Sequence, residues 1–184
     1  MEWLIGKITD LSDEEYTNVY YSLSPSRKAH IDKMKKEDAR KRSLMATFLI
    51  NQLLLKAGKC ELEILTDQKG KPYLKDSNLF ISISHSDIYV ACVLSETPVG
   101  IDIEKIRPVS QKLIEYVCTE HEKKYVLGKD TDQNEITKRF FSVWTAKEAC
   151  FKKGDSGENS IRFIDTLSLK RQEFLIDGYY VTIL

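Results

Sequence analysis

The sequence predicts an α+β protein in which helical segments and short strands alternate as two successive helix-then-strand blocks. Three observations carry this expectation. Apolar residues recur at helical spacing in Leu44, Phe48, Leu49, Leu53 and Leu55, and again in Ile136, Phe140, Val143, Trp144 and Phe151. Short apolar runs bounded by turn residues follow the first of these stretches, at Leu79–Ser84, Ile88–Leu94 and Val99–Glu104. The 184 residues, 42% hydrophobic and 30% charged, suit one or two compact domains with a buried core rather than a disordered chain.

A strand is expected at Trp3–Ile8. Asp10, Ser12 and Asp13 are helix-starting residues, and Glu14 and Glu15 follow where the helix dipole favours negative charge. Ser24-Pro25 opens a helical region that runs towards Ala57, with room for a break, and Gly58 is its natural stop. The first half of that region is crowded with Arg27, Lys28, Lys33, Lys35, Lys36, Arg40, Lys41 and Arg42, which Asp32, Glu37 and Asp38 partly balance as on a solvated face. Strands are expected at Leu62–Leu65 and Pro72–Leu74 around the turn Asp67-Gln68-Lys69-Gly70. Beyond Pro108 helices return near Ser110–Val117 and Glu120–Leu127, the latter stopped by Gly128. Thr131–Gln133 caps a longer helix reaching about Lys153, Gly154, Asp155, Ser156 and Gly157 form a loop, and two or three strands finish the chain. The break near Thr97-Pro98 suggests halves at residues 1–97 and 98–184, without a visible internal repeat.

Twenty-eight basic and 28 acidic side chains leave no formal net charge, which disfavours a dedicated nucleic-acid binder. No apolar run approaches the roughly 20 residues that cross a bilayer. The start, Met1 to Gly6, lacks the basic and apolar regions of a signal peptide, so a cytoplasmic protein is expected. Cys60, Cys92, Cys118 and Cys150 are widely spaced and read as reduced thiols, without the spacing of a zinc site.

Three segments carry chemistry. In Gly100-Ile101-Asp102-Ile103-Glu104 a strand sets Asp102 and Glu104 side by side on one face, with Ile101 and Ile103 on the other. Such a pair faces either water or a hard cation such as magnesium. In Trp144-Thr145-Ala146-Lys147-Glu148-Ala149 and the residues after it, Glu148 and Lys152 are neighbours one turn apart. They form either a surface ion pair, or a metal ligand beside a phosphate-neutralising lysine. Ile83-Ser84-His85-Ser86 ends a strand with hydroxyl, imidazole and backbone donors suited to phosphate. A Ser/His hydrolase is disfavoured, because adjacent Ser84 and His85 face opposite sides of a strand and no nucleophile elbow is present.

Taken in order, these segments resemble the signatures of the 4′-phosphopantetheinyl transferases, in their longer, pseudo-dimeric class. Gly100–Glu104 and Trp144–Ala149 are similar to its paired acidic motifs. Lys69-Gly70-Lys71-Pro72 looks like its Gly-Lys-Pro loop. Ile83–Ser86 looks like its Asn-x-Ser-His motif, with Ser82 in place of Asn. Ser24-Pro25-Ser26-Arg27 and Arg42-Ser43-Leu44 resemble its N-terminal basic helices. The resemblance implies two similar α/β subdomains in a pseudo-dimer, each an antiparallel sheet packed against helices, within a single monomeric chain.

It also implies transfer of 4′-phosphopantetheine from coenzyme A to a serine of an apo acyl or peptidyl carrier protein in fatty-acid, peptide or polyketide synthesis, releasing adenosine 3′,5′-bisphosphate. By motif match Asp102, Glu104 and Glu148 hold Mg2+, Lys152 touches the diphosphate, and Glu122 deprotonates the serine, although Cys118-Thr119 stands where the family has an aromatic residue and serine. Arg27, His30, Arg42, Ser43 and His85 surround the nucleotide phosphates, with His30 where Lys or Arg is usual. Lys71 and Pro72 border the adenine, and Ser84 donates to a phosphate. The carrier docks near the helices after Arg107. The family continues into further strands, whereas this sequence stops at Tyr179–Leu184. A phosphohydrolase sharing the carboxylates, and a non-catalytic module binding coenzyme A or the carrier, are the alternatives.

Overall fold

The computed structural model describes residues 1–60, 62–68, 70–128, 132–154 and 161–184. Lys69 of the Gly-Lys-Pro loop, Thr131 of the expected cap, and Asp155, Ser156 and Gly157 lie outside the described residues. The fold is α+β with antiparallel sheets, and the chain forms two compact units, Met1–Val99 and Gly100–Leu184.

The first unit runs β1 (Glu2–Lys7), α1 (Asp13–Ser22), α2 (Pro25–Asp32), α3 (Glu37–Lys56), β2 (Ile64–Thr66), β3 (Pro72–Leu74), β4 (Phe80–Ser86) and β5 (Tyr89–Ser95). Ser12 caps α1 in a reciprocal box with Glu15, and Ser24 caps α2 through the Arg27 amide. The region expected as one helix, with room for a break, is two helices. Three lysines, Lys33, Lys35 and Lys36, occupy the connection, and Glu37 and Asp38 then favour a fresh N-terminus. The Arg40 guanidinium donates 2.8 Å to the Met34 carbonyl, holding that connection. The sheet order is β1-β5-β4, with Glu2 opposite Leu94 and Phe80 opposite Ser95. Met45, Leu49, Ile50 and Leu53 of α3 join Ile81, Val90, Cys92 and Leu94 in its core.

The second unit runs β6 (Ile101–Lys105), α4 (Gln111–Val117), α5 (Glu120–Leu127), α6 (Gln133–Lys153), a 3₁₀ turn (Ile161–Phe163), β7 (Gln172–Ile176) and β8 (Tyr179–Ile183). Asp132 caps α6, and Gly154 ends it at φ 102°, a left-handed conformation that suits glycine. The order β6-β8-β7 repeats the path of the first unit: opening strand, helices, then a hairpin whose last strand returns beside the first. Its core joins Ile114, Val117, Val126, Phe140, Phe141 and Val143. Cys92, Cys118 and Cys150 are buried and Cys60 is exposed, all as free thiols.

Strand parity fixes which face of β6 meets α6. Asp102 pairs with Thr182, whose hydroxyl lies 2.6 Å from that of Thr145 on α6. Gly100, two residues before Asp102, has the same facing, and a Cβ there would stand 1.8 Å from the Ala149 carbonyl oxygen. The carboxylate face of β6 therefore lies under α6, while Ile101 and Ile103 are fully buried on the opposite face.

Candidate active site

Of the two acidic residues of β6, Asp102 is buried and Glu104 is half-buried. Asp102 is 3% exposed, and its Oδ1 accepts 2.7 Å from the Lys152 ammonium, across from strand to helix. Lys152 thus reaches Asp102 rather than making a surface pair with Glu148. Glu148, half-buried on the same helix, has its carboxyl pushed above the usual range. Burial is the largest cause, the charge of Asp102 follows, and Glu104 adds to it, against the pull of Lys152. Asp102, Glu104 and Glu148 are thus electrostatic neighbours, with Lys152 as their counter-charge.

Among the described residues no group of three or more His, Cys, Asp or Glu side chains is placed so that it could hold a metal ion together. The donor set still suits a hard divalent cation. It is made only of oxygen, and a cation there would offset both the burial that chiefly raises Glu148 and the charges of Asp102 and Glu104 that add to it. Gly100 brings the two elements together: with a Cβ there, the backbone of β6 could not approach α6 at Ala149. Sequence reasoning assigned Gly100 no role, although its place two residues before Asp102 was the available signal.

In the first unit the structure brings Arg27 and Ser43 together, the Arg27 guanidinium donating 2.9 Å to the Ser43 hydroxyl. Arg27 is half-buried, which lowers its pKa. Arg42 on α3 donates 3.1 Å to the Asp87 carbonyl in the β4–β5 turn. His85, next to last in β4, lies close to that turn, exposed and on the face shared with Ile81 and Ile83, whereas Ser84 is buried on the other face. That separation excludes a Ser84–His85 dyad. His30 lies exposed on α2. Lys71 is fixed beside Pro72 by its own turn: its amide donates 2.8 Å to Asp67 Oδ1, and its carbonyl accepts from the Asp67 amide. Lys71, Pro72 and Tyr73 line a hollow of about 660 Å³ with Phe80 and Ile81.

Glu122 lies in a closed hydrogen-bond network. Its side chain is fully buried, and each oxygen is taken. Oε1 accepts from the Thr166 amide at 2.9 Å and the Thr166 hydroxyl at 2.8 Å. Oε2 accepts from the Thr119 amide at 2.8 Å and lies 2.8 Å from the Lys147 ammonium. Glu122, expected from the family motif to deprotonate the serine, caps α5 in a reciprocal box with Thr119 and forms a sealed ion pair. Lys123, next to it on α5, pairs with Glu120.

Residues 98–178 match the family model of the 4′-phosphopantetheinyl transferase superfamily. The chain is 37% identical over 114 residues to the 4′-phosphopantetheinyl transferase gsp of Aneurinibacillus migulanus, covering 60% of this chain and 47% of that protein. It is 30% identical over 152 residues to the 4′-phosphopantetheinyl transferase Sfp of Bacillus subtilis, covering 80% and 66% respectively. It is also 30% identical over 123 residues to HetI of Nostoc, a 4′-phosphopantetheinyl transferase, covering 63% and 50%. The chain thus spans between about half and two thirds of the length of these relatives.

Proposed function

The chain belongs to the 4′-phosphopantetheinyl transferase superfamily, and on that premise we propose that it transfers the 4′-phosphopantetheine arm of coenzyme A to a serine of an apo carrier protein. The serine hydroxyl gives up its proton to a base, and its oxygen bonds to the phosphorus that carries the pantetheine. The bond from that phosphorus to the bridging oxygen breaks, and adenosine 3′,5′-bisphosphate leaves with the electron pair. Such a step builds negative charge on a diphosphate that is already anionic, so its barrier depends on fixed positive charge nearby.

The observation that carries the reading is the cluster of Asp102, Glu104 and Glu148 with Lys152, on β6 and α6 within the matched residues. The three carboxylates would hold Mg2+. When bound, that ion supplies neutralisation of the diphosphate and orientation of its oxygens. Lys152, which pairs with Asp102 at 2.7 Å, would donate to a diphosphate oxygen. Arg27, His30, Arg42, Ser43 and His85 are proposed to bind the nucleotide phosphates, Ser84 a phosphate oxygen, and Lys71 and Pro72 the edge of the adenine.

The intact mass of an apo carrier incubated with coenzyme A and magnesium tests this. Transfer adds one phosphopantetheine arm to the carrier, whereas a hydrolase consumes coenzyme A and leaves the carrier unchanged, and a binding module does neither. Asp102→Ala is expected to abolish the mass gain, because it removes both a cation ligand and the partner of Lys152. Near-wild-type transfer by that variant would refute the assignment.

A further inference from the structure

Lys147 and Glu122 form a charge pair with no solvent exposure, at 2.8 Å, beside the proposed metal carboxylates. A surface ion pair contributes little, but a buried one costs much desolvation and is kept only when its hydrogen bonds are complete. Here they are. The Lys147 ammonium also donates to the Ile164 carbonyl and lies 3.4 Å from the carbonyls of Ile161 and Arg162. Glu122 in turn binds Thr119 at the start of α5 and both donors of Thr166. The network continues from the Thr166 carbonyl to Arg171, which donates 3.1 Å to the Ser142 hydroxyl and pairs with Glu173 at 3.1 Å. The helix α6 is therefore held at Lys147 directly to the carbonyls of residues 161–164, and at Ser142 to Arg171, which in turn binds the Thr166 carbonyl.

We propose that Glu122 and Lys147 are positioning residues: they fix the rotation of α6 about its axis, and so aim Glu148 at β6. Successive residues on a helix point about 100° apart, so pinning Lys147 determines where Glu148 faces. Lys152, more than a turn further along the same helix, meets Asp102 by the same constraint. The pair adds no group to the reacting atoms. It holds a metal ligand in place, as groups behind a metal's own ligands do elsewhere. The inference rests on the transferase reading only where transfer is measured; metal affinity and unfolding test it separately.

The test is a cycle of Glu122→Gln, Lys147→Met and the two combined. It is read by urea unfolding, by calorimetric titration of magnesium in the presence of coenzyme A, and by transfer to an apo carrier. Each single variant should unfold at lower urea, since it leaves one buried charge without its partner. Each should weaken magnesium by about ten- to a hundredfold. The double variant should unfold no earlier than the weaker single, and its loss of magnesium affinity should fall short of the two single losses combined. A general base at Glu122 gives another pattern: transfer falls by about 10²–10⁴ with magnesium affinity unchanged, equally with Lys or Met at position 147. That pattern overturns the proposal, as does unaltered magnesium affinity in folded variants. Thr166→Val, which removes one donor to Glu122 and no charge, covers the case in which the charge variants do not fold. It should weaken magnesium by a few-fold, and no change in it overturns the proposal. A wild-type chain that binds magnesium but moves no arm sinks the transferase reading alone.

Discussion

Glu148 is the residue at which stability and the proposed chemistry oppose one another. Its carboxyl is raised by burial, then by Asp102 and Glu104, so the native chain keeps that proton to a higher pH than the unfolded chain does. The sign of the consequence follows by linkage. The native advantage of the protonated form is full below the ordinary glutamate value of 4.5 and is lost as pH rises through the raised native value. Above that value the ionised Glu148 is a burden on the metal-free fold. Glu148→Gln should therefore unfold at higher urea than the wild type at pH 7.5 in the presence of a chelator. The difference should close at pH 4, and the variant should lose transfer. Urea titrations at the two pH values check this, and a variant no more stable than the wild type at pH 7.5 would contradict the assignment of repulsion to this cluster.

The meeting of β6 with α6 shows, at the level of elements, what the sequence discloses and what it withholds. Helix starts were legible because they are local: Ser12, Ser24, Ser110 and Thr119 each cap the helix that follows with their own side chain. The same-face placement of Asp102 and Glu104 was legible for the same reason, since strand periodicity alone sets it. That α6 covers this face was not legible, because it depends on a backbone approach between Gly100 and Ala149, which are distant in sequence. Nor was the Glu122–Lys147 pair, whose members each read as ordinary charged helix positions. Gly100→Ala tests the approach. The new Cβ would stand 1.8 Å from the Ala149 oxygen and 2.9 Å from the Lys153 amide nitrogen, both backbone atoms that cannot rotate away. The strand and helix must part, at a cost of about 1–3 kcal/mol in stability as for other overpacked sites. A lowered thermal midpoint together with weaker magnesium binding is the expected result, and wild-type values for both would remove Gly100 from the site.

For the molecule as a whole, the two units follow one path, β1-β5-β4 in the first and β6-β8-β7 in the second, although no sequence repeat announces it. A fold path needs only the right apolar periodicity and turns, so two segments can share it without sharing residues. What differs between the units is their chemistry: the first carries the basic residues and His85, the second the carboxylates. Under the proposed function that division predicts separable losses. Arg42 is half-buried and holds the Asp87 carbonyl, at the end of the sheet where His85 stands. If it binds the 3′-phosphate of coenzyme A, Arg42→Ala removes a charge-assisted hydrogen bond worth about 1.5–3 kcal/mol, or roughly ten- to a hundredfold in affinity. The loss should appear with coenzyme A and be nearly absent with 3′-dephospho-coenzyme A, which lacks that phosphate. Glu148→Gln should show the converse, weakening magnesium while keeping the wild-type preference between the two nucleotides. Calorimetric titrations of both nucleotides against both variants decide the matter. Equal weakening of the two nucleotides by Arg42→Ala would move Arg42 away from the 3′-phosphate, and a changed nucleotide preference in Glu148→Gln would show that the two units do not divide the ligand as proposed.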